Sequence, residues 1–336
     1  MTLMKVLFVT EPNQAPSTRL RVGEYIDDYR EHGVAPTLLS PKATVRERRR
    51  VIREAGKHDV VVLCKTTSFT ILQLRSLRRA NPKIIFDYDD AVMFREQKFR
   101  QPLTGKSFKK FLRTLHICKA AVAGNSYLGS FAEACDVPAT VLATPIDLRK
   151  YKLKTYSPNV AVTVGWLGLS DGLPYLEFIE PALQRLAERF PGFRLRVICD
   201  KPLTLKGVRV ENELWQRETE QGTLASFDVG IMPLWDSVWT RGKCGYKILQ
   251  YMGVGTPVVA SDVGVNSQII THGENGFIAR TQDDWVERIS ELLSNVDVRR
   301  RLGGNGRKLV ERCYSHTDFI KSYVNLLNDV AAARTA

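Results

Sequence analysis

Short apolar segments alternate with helical segments along this chain, and the alternation starts twice. The first series begins at residues 5–10 (KVLFVT) and the second at residues 160–166. Short apolar strands separated by helices form parallel sheets that helices cover on both faces. The alternation therefore predicts two tandem doubly wound α/β domains with a cleft between them. Ligands of such sheets bind beyond the carboxyl ends of the strands, so the cleft is the expected active site.

The domain limits follow from the length and from the point where the pattern restarts. A chain of 336 residues is too long for one ordinary core and fits two domains of roughly 150 residues each. We assign residues 1–157 to the first domain and residues 158–315 to the second. Residues 316–336 form a terminal segment that is predicted to be helical over residues 317–332.

Net charge distinguishes the two halves. Residues 1–157 hold 28 Lys and Arg against 15 Asp and Glu, whereas residues 158–336 hold 21 of each, so the first half carries the whole excess of +13. A one-sided field of this kind predicts an anionic partner for the first half. The candidates are a phospholipid surface, a phosphorylated acceptor and nucleic acid.

Basic side chains crowd two helical segments of the first half, and aromatic residues are interleaved with the second. Basic residues mixed with aromatic rings are typical of a segment that binds a membrane surface, although a solvated helix face is the alternative. No nucleic acid is expected, because helix-turn-helix, zinc-finger and RNP-type patterns are missing. The predicted membrane contacts are Arg46, Arg49, Arg50 and Arg53 in the first segment and Lys106, Lys109 and Lys110 in the second, beside Phe108 and Phe111.

The expected location is cytoplasmic. A further expectation is that the protein binds peripherally to the inner face of the cell membrane. No run of 18 apolar residues is present, and the first residues lack the layout of a signal peptide. The six cysteines are scattered without a CxxC pair or metal-ligand spacing, which fits a reducing compartment.

The densest group of unusual residues lies between residues 227 and 276. Gly242 and Gly245 precede a predicted helix over residues 246–253, and Arg241, Lys243 and Lys247 lie within two turns of its start. Cations at a helix N-terminus oppose the helix dipole unless an anion neutralises both. We therefore interpret the segment as a diphosphate site, with a solvated basic turn as the alternative.

Two further polar groups are candidates for binding. Gln250 lies one turn beyond Tyr246 and Lys247. It is either a contact to the ligand or an amide on the helix surface. The carboxylates of Asp87, Asp89 and Asp90 follow a strand and could hold a divalent metal, or basic neighbours could neutralise them.

Two other chemistries have little support in the sequence. A nicotinamide enzyme is not indicated, because EPNQAPST replaces G-x-G-x-x-G after the first strand. His116 is interpreted as a surface or core histidine, and no protein nucleophile is nominated.

Several motifs resemble one known family in order along nearly the whole chain. In the second half these are FDVGIMPL, GYKILQYMGVGTPVVASDVGVNSQII, HGENGF and RRLGGNGRKLVERCYS, preceded by GWLGLSDGLPYL. In the first half they are STRLR, FDYDDAVM, AGNSYL and TPIDL. The chain therefore resembles the family 4 (group 1) glycosyltransferases.

The resemblance implies a GT-B fold of two Rossmann-like domains, in which the C-terminal domain binds a UDP- or GDP-sugar. It implies transfer with retention and without a metal or other cofactor. The basic segments of the first half fit a glycan or lipid-linked acceptor. The resemblance also implies that the terminal helix crosses back to the first domain. By position, Gly168 and Ser170 would lie under the phosphates, Lys243 or Lys247 would neutralise them, Gln250 would take the ribose position, and Asn266 and Ser267 would line the sugar.

On the acceptor side, Asp89 or Asp90 is expected to orient sugar hydroxyls where relatives often have a histidine. Arg19 and Arg21 would reach the same cleft.

The chain departs from the family pattern at two places. Gly242 and Gln250 stand where most members carry a pair of glutamates, and GWLGLSD lacks the usual Arg and Lys after the first strand of the second domain. A non-catalytic protein that binds sugar nucleotides is therefore one alternative hypothesis, and a basic nucleic-acid-binding protein is the other.

Overall fold

A computed structural model describes residues 3–11, 15–42, 44–94, 105–156 and 163–333. The chain forms two compact units, which we call unit 1 and unit 2. Unit 1 comprises Met1–Pro145, Ser237–Cys244 and His316–Ala336, and unit 2 comprises Ile146–Asp236 and Gly245–Ser315.

Twelve strands form the two sheets within the described residues. They are β1 (Met4–Val9), β2 (Val34–Leu39), β3 (Val60–Cys64), β4 (Ile84–Tyr88), β5 (Ala120–Ala123), β6 (Ala139–Val141), β7 (Thr163–Leu167), β8 (Arg194–Cys199), β9 (Val210–Leu214), β10 (Val229–Met232), β11 (Val258–Ser261) and β12 (Phe277–Ala279).

Fourteen α-helices are present in the same described ranges. They are α1 (Pro16–Arg21), α2 (Ile26–Glu31), α3 (Val45–Ala55), α4 (Ile71–Ala80), α5 (Lys106–Leu115), α6 (Ser126–Glu133), α7 (Leu173–Phe178), α8 (Glu180–Arg189), α9 (Glu220–Ser226), α10 (Tyr246–Gly253), α11 (Asn266–Ile269), α12 (Gln282–Ser294), α13 (Val296–Cys313) and α14 (His316–Ala332). Short 3₁₀ turns cover Gly23–Tyr25, Ser170–Gly172 and Thr240–Gly242.

The sheet of unit 1 is parallel, in the order β2-β1-β3-β4-β5-β6. Its central strands are buried on both faces, as continuous apolar runs such as Val60–Cys64 require. Helix α14 packs on one face of this sheet, where Tyr323 contacts the rings of Phe8 and Tyr29. The terminal helix therefore completes the core of the unit that contains the N-terminus.

The sheet of unit 2 is also parallel, in the order β12-β11-β10-β7-β8-β9. The chain runs outward from β7 in one direction through β8 and β9, and in the other through β10, β11 and β12. The strand order thus reverses beside β7, and ligands of open α/β sheets bind at the carboxyl ends of the strands at such a point. The prediction of two doubly wound α/β domains is confirmed.

The units differ from the predicted domain limits at two places. Unit 2 begins at Ile146, and the predicted boundary at residues 157–158 lies outside the described residues. Residues 237–244 belong to unit 1, because their side chains pack and form hydrogen bonds with residues near β4 and α6.

Some predicted elements differ in their limits. The helix predicted over residues 19–32 is divided into α1 and α2 by the 3₁₀ turn at Gly23–Tyr25. The strand predicted over residues 208–210 is β9, which begins at Val210 and pairs with β8 through Leu214. Helices α6, α9 and α11 are short, and sequence periodicity over so few residues predicts them poorly.

Among the described helices, none combines the length and the apolar character needed to span a membrane.

Candidate functional site

Trp166 organises the first loop of unit 2. It lies in β7 with 2% of its surface exposed. A Cβ atom on Gly168 would lie 2.5 Å from its ring, and one on Gly172 would lie 2.7 Å from it. Both positions therefore need glycine because the indole fills the space beside the backbone. A role was predicted for Gly168 but not for Trp166. The signal that could have identified Trp166 is a tryptophan at the end of a strand, directly before a loop that contains glycine.

Lys247 lies over the same indole ring. Its ammonium group is 5.3 Å from the ring centre, and its Cε would be 2.9 Å from a Cβ on Gly168. A cation over the face of tryptophan is attracted by the ring quadrupole. The fold thus brings the predicted residues Gly168 and Lys247 together, although 79 positions of sequence separate them.

Lys247 also lies in the first turn of α10, whose N-terminal cap is Gly245. Gly245 has φ +68°, and a Cβ there would lie 2.4 Å from Ile269 at the end of α11. Glycine is required for both reasons, and it has no side chain that could cap the helix. The positive end of the helix dipole and the Lys247 ammonium therefore lie together, which favours an anion at this place.

Ser170, predicted to lie under the phosphates, contacts a carboxylate of its own unit. Its backbone N–H donates to Asp200 Oδ1 at 2.7 Å, and its hydroxyl donates to Asp200 Oδ2 at 3.0 Å. The backbone hydrogen bond is the main reason that the pKa of Asp200 is lower than its ordinary value. Asp200, which the sequence analysis did not single out, therefore occupies the donors of Ser170.

Asn266 and Ser267 begin α11 after β11. Asn266 is 1% exposed, and its side-chain N–H₂ donates to the Ser261 carbonyl oxygen at 3.0 Å. Its Oδ1 has no hydrogen-bond partner among the described residues. A buried acceptor without a partner needs an explanation, and a bound hydroxyl is one. Ser267, by contrast, is exposed.

Gln250 lies inside a buried hydrogen-bond network. It is 3% exposed, and its Nε2 donates to Glu220 Oε1 at 3.0 Å and to the Tyr151 hydroxyl at 3.3 Å. The other oxygen of Glu220 accepts from the Trp215 indole N–H at 2.9 Å. The structure thus gives Gln250 internal partners on α9 and on the segment before β7, and its predicted contact with ribose stays a prediction.

Asp89 and Asp90 follow β4 at the carboxyl edge of the sheet of unit 1. Lys65, the residue after β3, has its ammonium group 2.7 Å from Asp90 Oδ2 and 3.5 Å from Asp89 Oδ1. The Ser17 hydroxyl donates to Asp89 Oδ1 at 2.9 Å. These carboxylates therefore face a lysine, which the sequence analysis did not identify. In the described part of the chain no group of three or more His, Cys, Asp or Glu residues is arranged to hold a metal ion.

Lys243 and Arg241 lie in unit 1, whereas Lys247 lies in unit 2. The sequence placed all three near one helix terminus. In the structure Lys243 has an extended backbone (φ −66°, ψ 139°), and its Nζ is 3.7 Å from Asp90 Oδ1 and 5.0 Å from the centre of the Trp239 ring. Arg241 is exposed, and its carbonyl oxygen accepts from Asn125 at 3.3 Å. Arg241 and Lys243 thus belong to a different unit from Lys247.

The two predicted acceptor-side arginines have internal partners. Arg21 is 3% exposed and pairs with Asp87 at 2.9 Å, and Asp87 also accepts from the Tyr323 hydroxyl at 2.8 Å. Arg19 pairs with Glu24 at 2.6 Å. Arg21 therefore ties α1 to β4 and α14 inside unit 1, and contact of either arginine with a substrate stays a prediction.

The predicted membrane contacts are exposed on α3 and α5, but the interleaved aromatic residues are not. The exposed side chains include Arg46, Arg49, Arg50, Arg53, Lys106, Lys109 and Lys110. Phe111 is fully buried and Phe108 packs against the same core. The aromatic part of that prediction was wrong for these two residues, because the amphipathic helix α5 uses them to cover the sheet.

A family model matches much of unit 2. Residues 159–295 match the model described as "Glycosyl transferases group 1". The match covers 137 of the 336 residues of the chain.

Curated relatives match shorter stretches. The trehalose synthase of Pyrococcus horikoshii is 28% identical over 90 residues, which are 27% of this chain and 22% of that protein. The spore coat protein SA of Bacillus subtilis is 36% identical over 63 residues, 18% of this chain and 17% of that protein. The matched stretches thus span about a fifth of the length of these relatives.

Solved structures match nearly the whole chain. HepE from Anabaena, in complex with UDP and glucose, has a TM-score of 0.73 at 13% identity and covers 97% of this chain and 100% of its own. The sucrose-phosphate synthase of Thermosynechococcus elongatus has a TM-score of 0.72 at 11% identity, covering 98% and 100%. Both are GT-B structures, so the predicted fold class is confirmed.

Proposed function

We propose that this protein transfers a sugar from a UDP- or GDP-sugar to a hydroxyl acceptor. The observation that carries the proposal is the group formed by Lys247, Trp166 and Gly168 at the carboxyl ends of the strands of unit 2. It supports binding of a diphosphate because a cation fixed over an indole ring and the N-terminus of α10 occur together at this edge of the sheet. The bound UDP in the structure of HepE supports the same class of ligand.

Each part of this group has a role in the proposed reaction. Breaking the bond between the sugar and the diphosphate leaves negative charge on the departing phosphate oxygen. A cation that is already in place stabilises this charge without reorganisation during the step. We assign that role to Lys247, whose position over the indole is set before the donor binds. Lys243 is the second candidate for stabilising the charge on the departing phosphate.

The sugar of the donor is assigned to the loop after β11. The buried Oδ1 of Asn266 is available as an acceptor for a sugar hydroxyl, and Ser267 is exposed beside it. Such a contact would remove the cost of an unsatisfied buried oxygen. Gly168 and Ser170 are assigned to the phosphates, where the anion would compete with Asp200 for the Ser170 donors.

The acceptor is assigned to unit 1, where Asp90 is the more exposed of the two neighbouring carboxylates.

The resemblance to family 4 glycosyltransferases supports retention of the anomeric configuration and a reaction without a metal. The exposed arginines and lysines of α3 and α5 support a lipid-linked acceptor and a peripheral position on a cytoplasmic membrane surface. These basic residues would act through charge, since Phe108 and Phe111 pack inward.

The test is a thermal-shift titration with UDP, GDP and ADP, followed by the rate of nucleoside-diphosphate release from the matching sugar nucleotides. Ligand at 100 times its Kd stabilises the folded state by about 2.7 kcal/mol. We expect a shift with UDP or GDP that is lost in Lys247→Ala. Lys308→Ala, which removes an exposed lysine from α13, is the matched control and should behave as the wild type.

The outcomes separate the two candidate functions. Binding together with release of the nucleoside diphosphate supports the transferase. Binding without release from any sugar nucleotide favours a non-catalytic sugar-nucleotide binder, which the missing glutamate pair at Gly242 and Gln250 makes the second candidate. No shift with any nucleoside diphosphate would overturn both.

A further inference from the structure

Lys65 has a backbone conformation that is unusual for its residue type. It follows β3 with φ +53°, in the left-handed region. Few residues other than glycine adopt this conformation, and a lysine has no short polar side chain that would favour it. Its backbone N–H nevertheless continues the sheet by donating to the Asp87 carbonyl oxygen at 2.7 Å. The position therefore tolerates the strained backbone although glycine would fit it better, which indicates that the lysine side chain is needed there.

The side chain of Lys65 ends in a closed group of polar partners. Its ammonium group is 2.7 Å from Asp90 Oδ2, 3.5 Å from Asp89 Oδ1 and 3.1 Å from the Ser17 hydroxyl. An ammonium group has three donors. Lys65 is 16% exposed at its side chain, so its contacts are made largely away from solvent.

The two carboxylates that face Lys65 are not equivalent. Asp89 is 12% exposed, accepts from Ser17, and its carbonyl oxygen accepts from the Cys244 thiol at 2.9 Å. Asp90 is 26% exposed and lies between Lys65 and Lys243. Asp89 is thus fixed from several sides, whereas Asp90 presents its carboxylate at the surface of unit 1.

The charge of Lys65 favours the ionised form of Asp89. Burial by itself raises the pKa of Asp89, but the charges of Lys65 and Arg21 and the hydrogen bond from Ser17 outweigh it and lower the pKa. Burial likewise lowers the pKa of Lys65, and the charges of Asp89 and Asp90 outweigh it and raise the pKa. Without this cation, adjacent carboxylates would repel each other and one would take up a proton more readily.

We propose that Lys65 is a positioning residue that holds the Asp90 carboxylate oriented to accept a hydrogen bond from the acceptor hydroxyl, with Asp89 and Ser17 fixing Lys65. This rests on the proposed function. Asp90 is then the residue that contacts the acceptor, and Asp89 acts through Lys65. The sequence left the choice between the two carboxylates open.

The test compares release of the nucleoside diphosphate from the sugar nucleotide, with water as acceptor, in Lys65→Met, Asp90→Asn and the double variant. We expect Lys65→Met to lower kcat about 100-fold, within the range for loss of a positioned acid–base group, and to leave the donor KM unchanged. Because Lys65 acts through Asp90, the double variant should be no slower than Asp90→Asn alone. Lys65→Arg, which keeps the charge, should recover part of the rate.

The acid limb of the pH–rate profile gives a second readout. The charge of Lys65 lowers the pKa of Asp89, so in Lys65→Met this carboxyl group should take up a proton at a higher pH, and the rate should begin to fall at a higher pH than in the wild type. Lys57→Met, the same substitution at an exposed lysine of unit 1, is the control and should leave kcat and the profile unchanged. A uniform loss of stability would not move the acid limb in this direction.

Failure of this inference can be distinguished from failure of the proposed function. If the wild type binds no nucleoside diphosphate, the proposed function fails. If it binds and releases one, and Lys65→Met has a kcat within threefold of the wild type, the positioning role of Lys65 is overturned. Additive losses in the double variant would also overturn it, since Lys65 would then act independently of Asp90.

Discussion

Burial in the folded state destabilises the charged form of Lys154. Its side chain is 6% exposed in unit 2, where it donates to the Phe227 carbonyl oxygen and lies 3.9 Å from Asp228 Oδ1. Its ammonium group is 5.7 Å from the centre of the Tyr156 ring. Burial lowers the pKa of Lys154 to about 8, and the charge of Asp228 opposes this shift without reversing it.

This pKa predicts a rise of stability at alkaline pH. Between pH 8 and the ordinary lysine pKa of about 10.4, the unfolded chain binds a proton that the folded chain has lost. The free energy of unfolding should therefore rise by roughly 1–3 kcal/mol over this interval in the wild type relative to Lys154→Met. Urea denaturation at a series of pH values measures it, with Lys152→Met as the exposed control. Parallel curves for the wild type and Lys154→Met would contradict the assigned pKa.

At the scale of elements, the segment of residues 237–244 is held in unit 1 by Asn125. The side-chain oxygen of Asn125 accepts from the Leu128 N–H and so caps α6, while its N–H₂ group donates to the carbonyl oxygens of Lys243 at 3.1 Å and Arg241 at 3.3 Å. Close packing supports these bonds, since a Cβ on Gly124 would lie 2.2 Å from the Cys244 sulfur. One residue thus links a helix to a distant segment that carries Lys243.

Asn125→Ser separates the two roles of this side chain. Serine still caps a helix, but its hydroxyl does not replace the two amide donors. Loss of the hydrogen bonds to the partly buried carbonyl oxygens of Arg241 and Lys243 should cost about 1–3 kcal/mol of unfolding free energy and increase hydrogen exchange in residues 237–244. Asn295→Ser, at the capping asparagine of α13, is the matched control and should change stability little. Equal effects of the two substitutions would show that only the cap matters.

At the scale of the whole molecule, positive charge is concentrated in one half of the chain. The excess of +13 lies within residues 1–157, and four exposed arginines of α3 contribute to it. Each basic residue near an anionic membrane surface contributes about 1 kcal/mol of binding free energy, and salt screens this attraction. The proposed binding to a membrane surface therefore predicts an affinity that depends on the number of basic residues and on the salt concentration.

The prediction is that the protein sediments with vesicles that contain phosphatidylserine at low salt, and much less with pure phosphatidylcholine or at high salt. Replacing Arg46, Arg49, Arg50 and Arg53 by Gln should weaken binding at least tenfold. A control that removes the same charge from unit 2 replaces the exposed residues Arg185, Arg189, Arg209 and Arg300. Equal loss in both variants would indicate an unspecific charge effect, and salt-sensitive binding to DNA alone would favour a nucleic-acid partner.

The sequence by itself determined the two parallel sheets, most of their strands and the long helices. The apolar runs of β3 and β10 and the helical spacing of α12 and α13 are periodic over adjacent residues, so these signals are local. Lys247 was also found in this way, since the start of a helix has a short signature, whereas Gly168 was indicated by the resemblance to the family 4 glycosyltransferases. Residues such as Trp166, Lys65 and Asp200 have no such signature, because their role depends on what faces them.

Only the tertiary structure decided which predicted residues lie together. Lys243 and Lys247 are four positions apart, yet they belong to different units, because Asn125 binds backbone oxygens more than a hundred residues away. Lys65 meets Asp90 because β3 and β4 are neighbours in a parallel sheet, whose carboxyl ends lie at one edge. Local periodicity fixes which segments become strands and helices, whereas contacts between segments depend on packing that no short stretch of sequence contains.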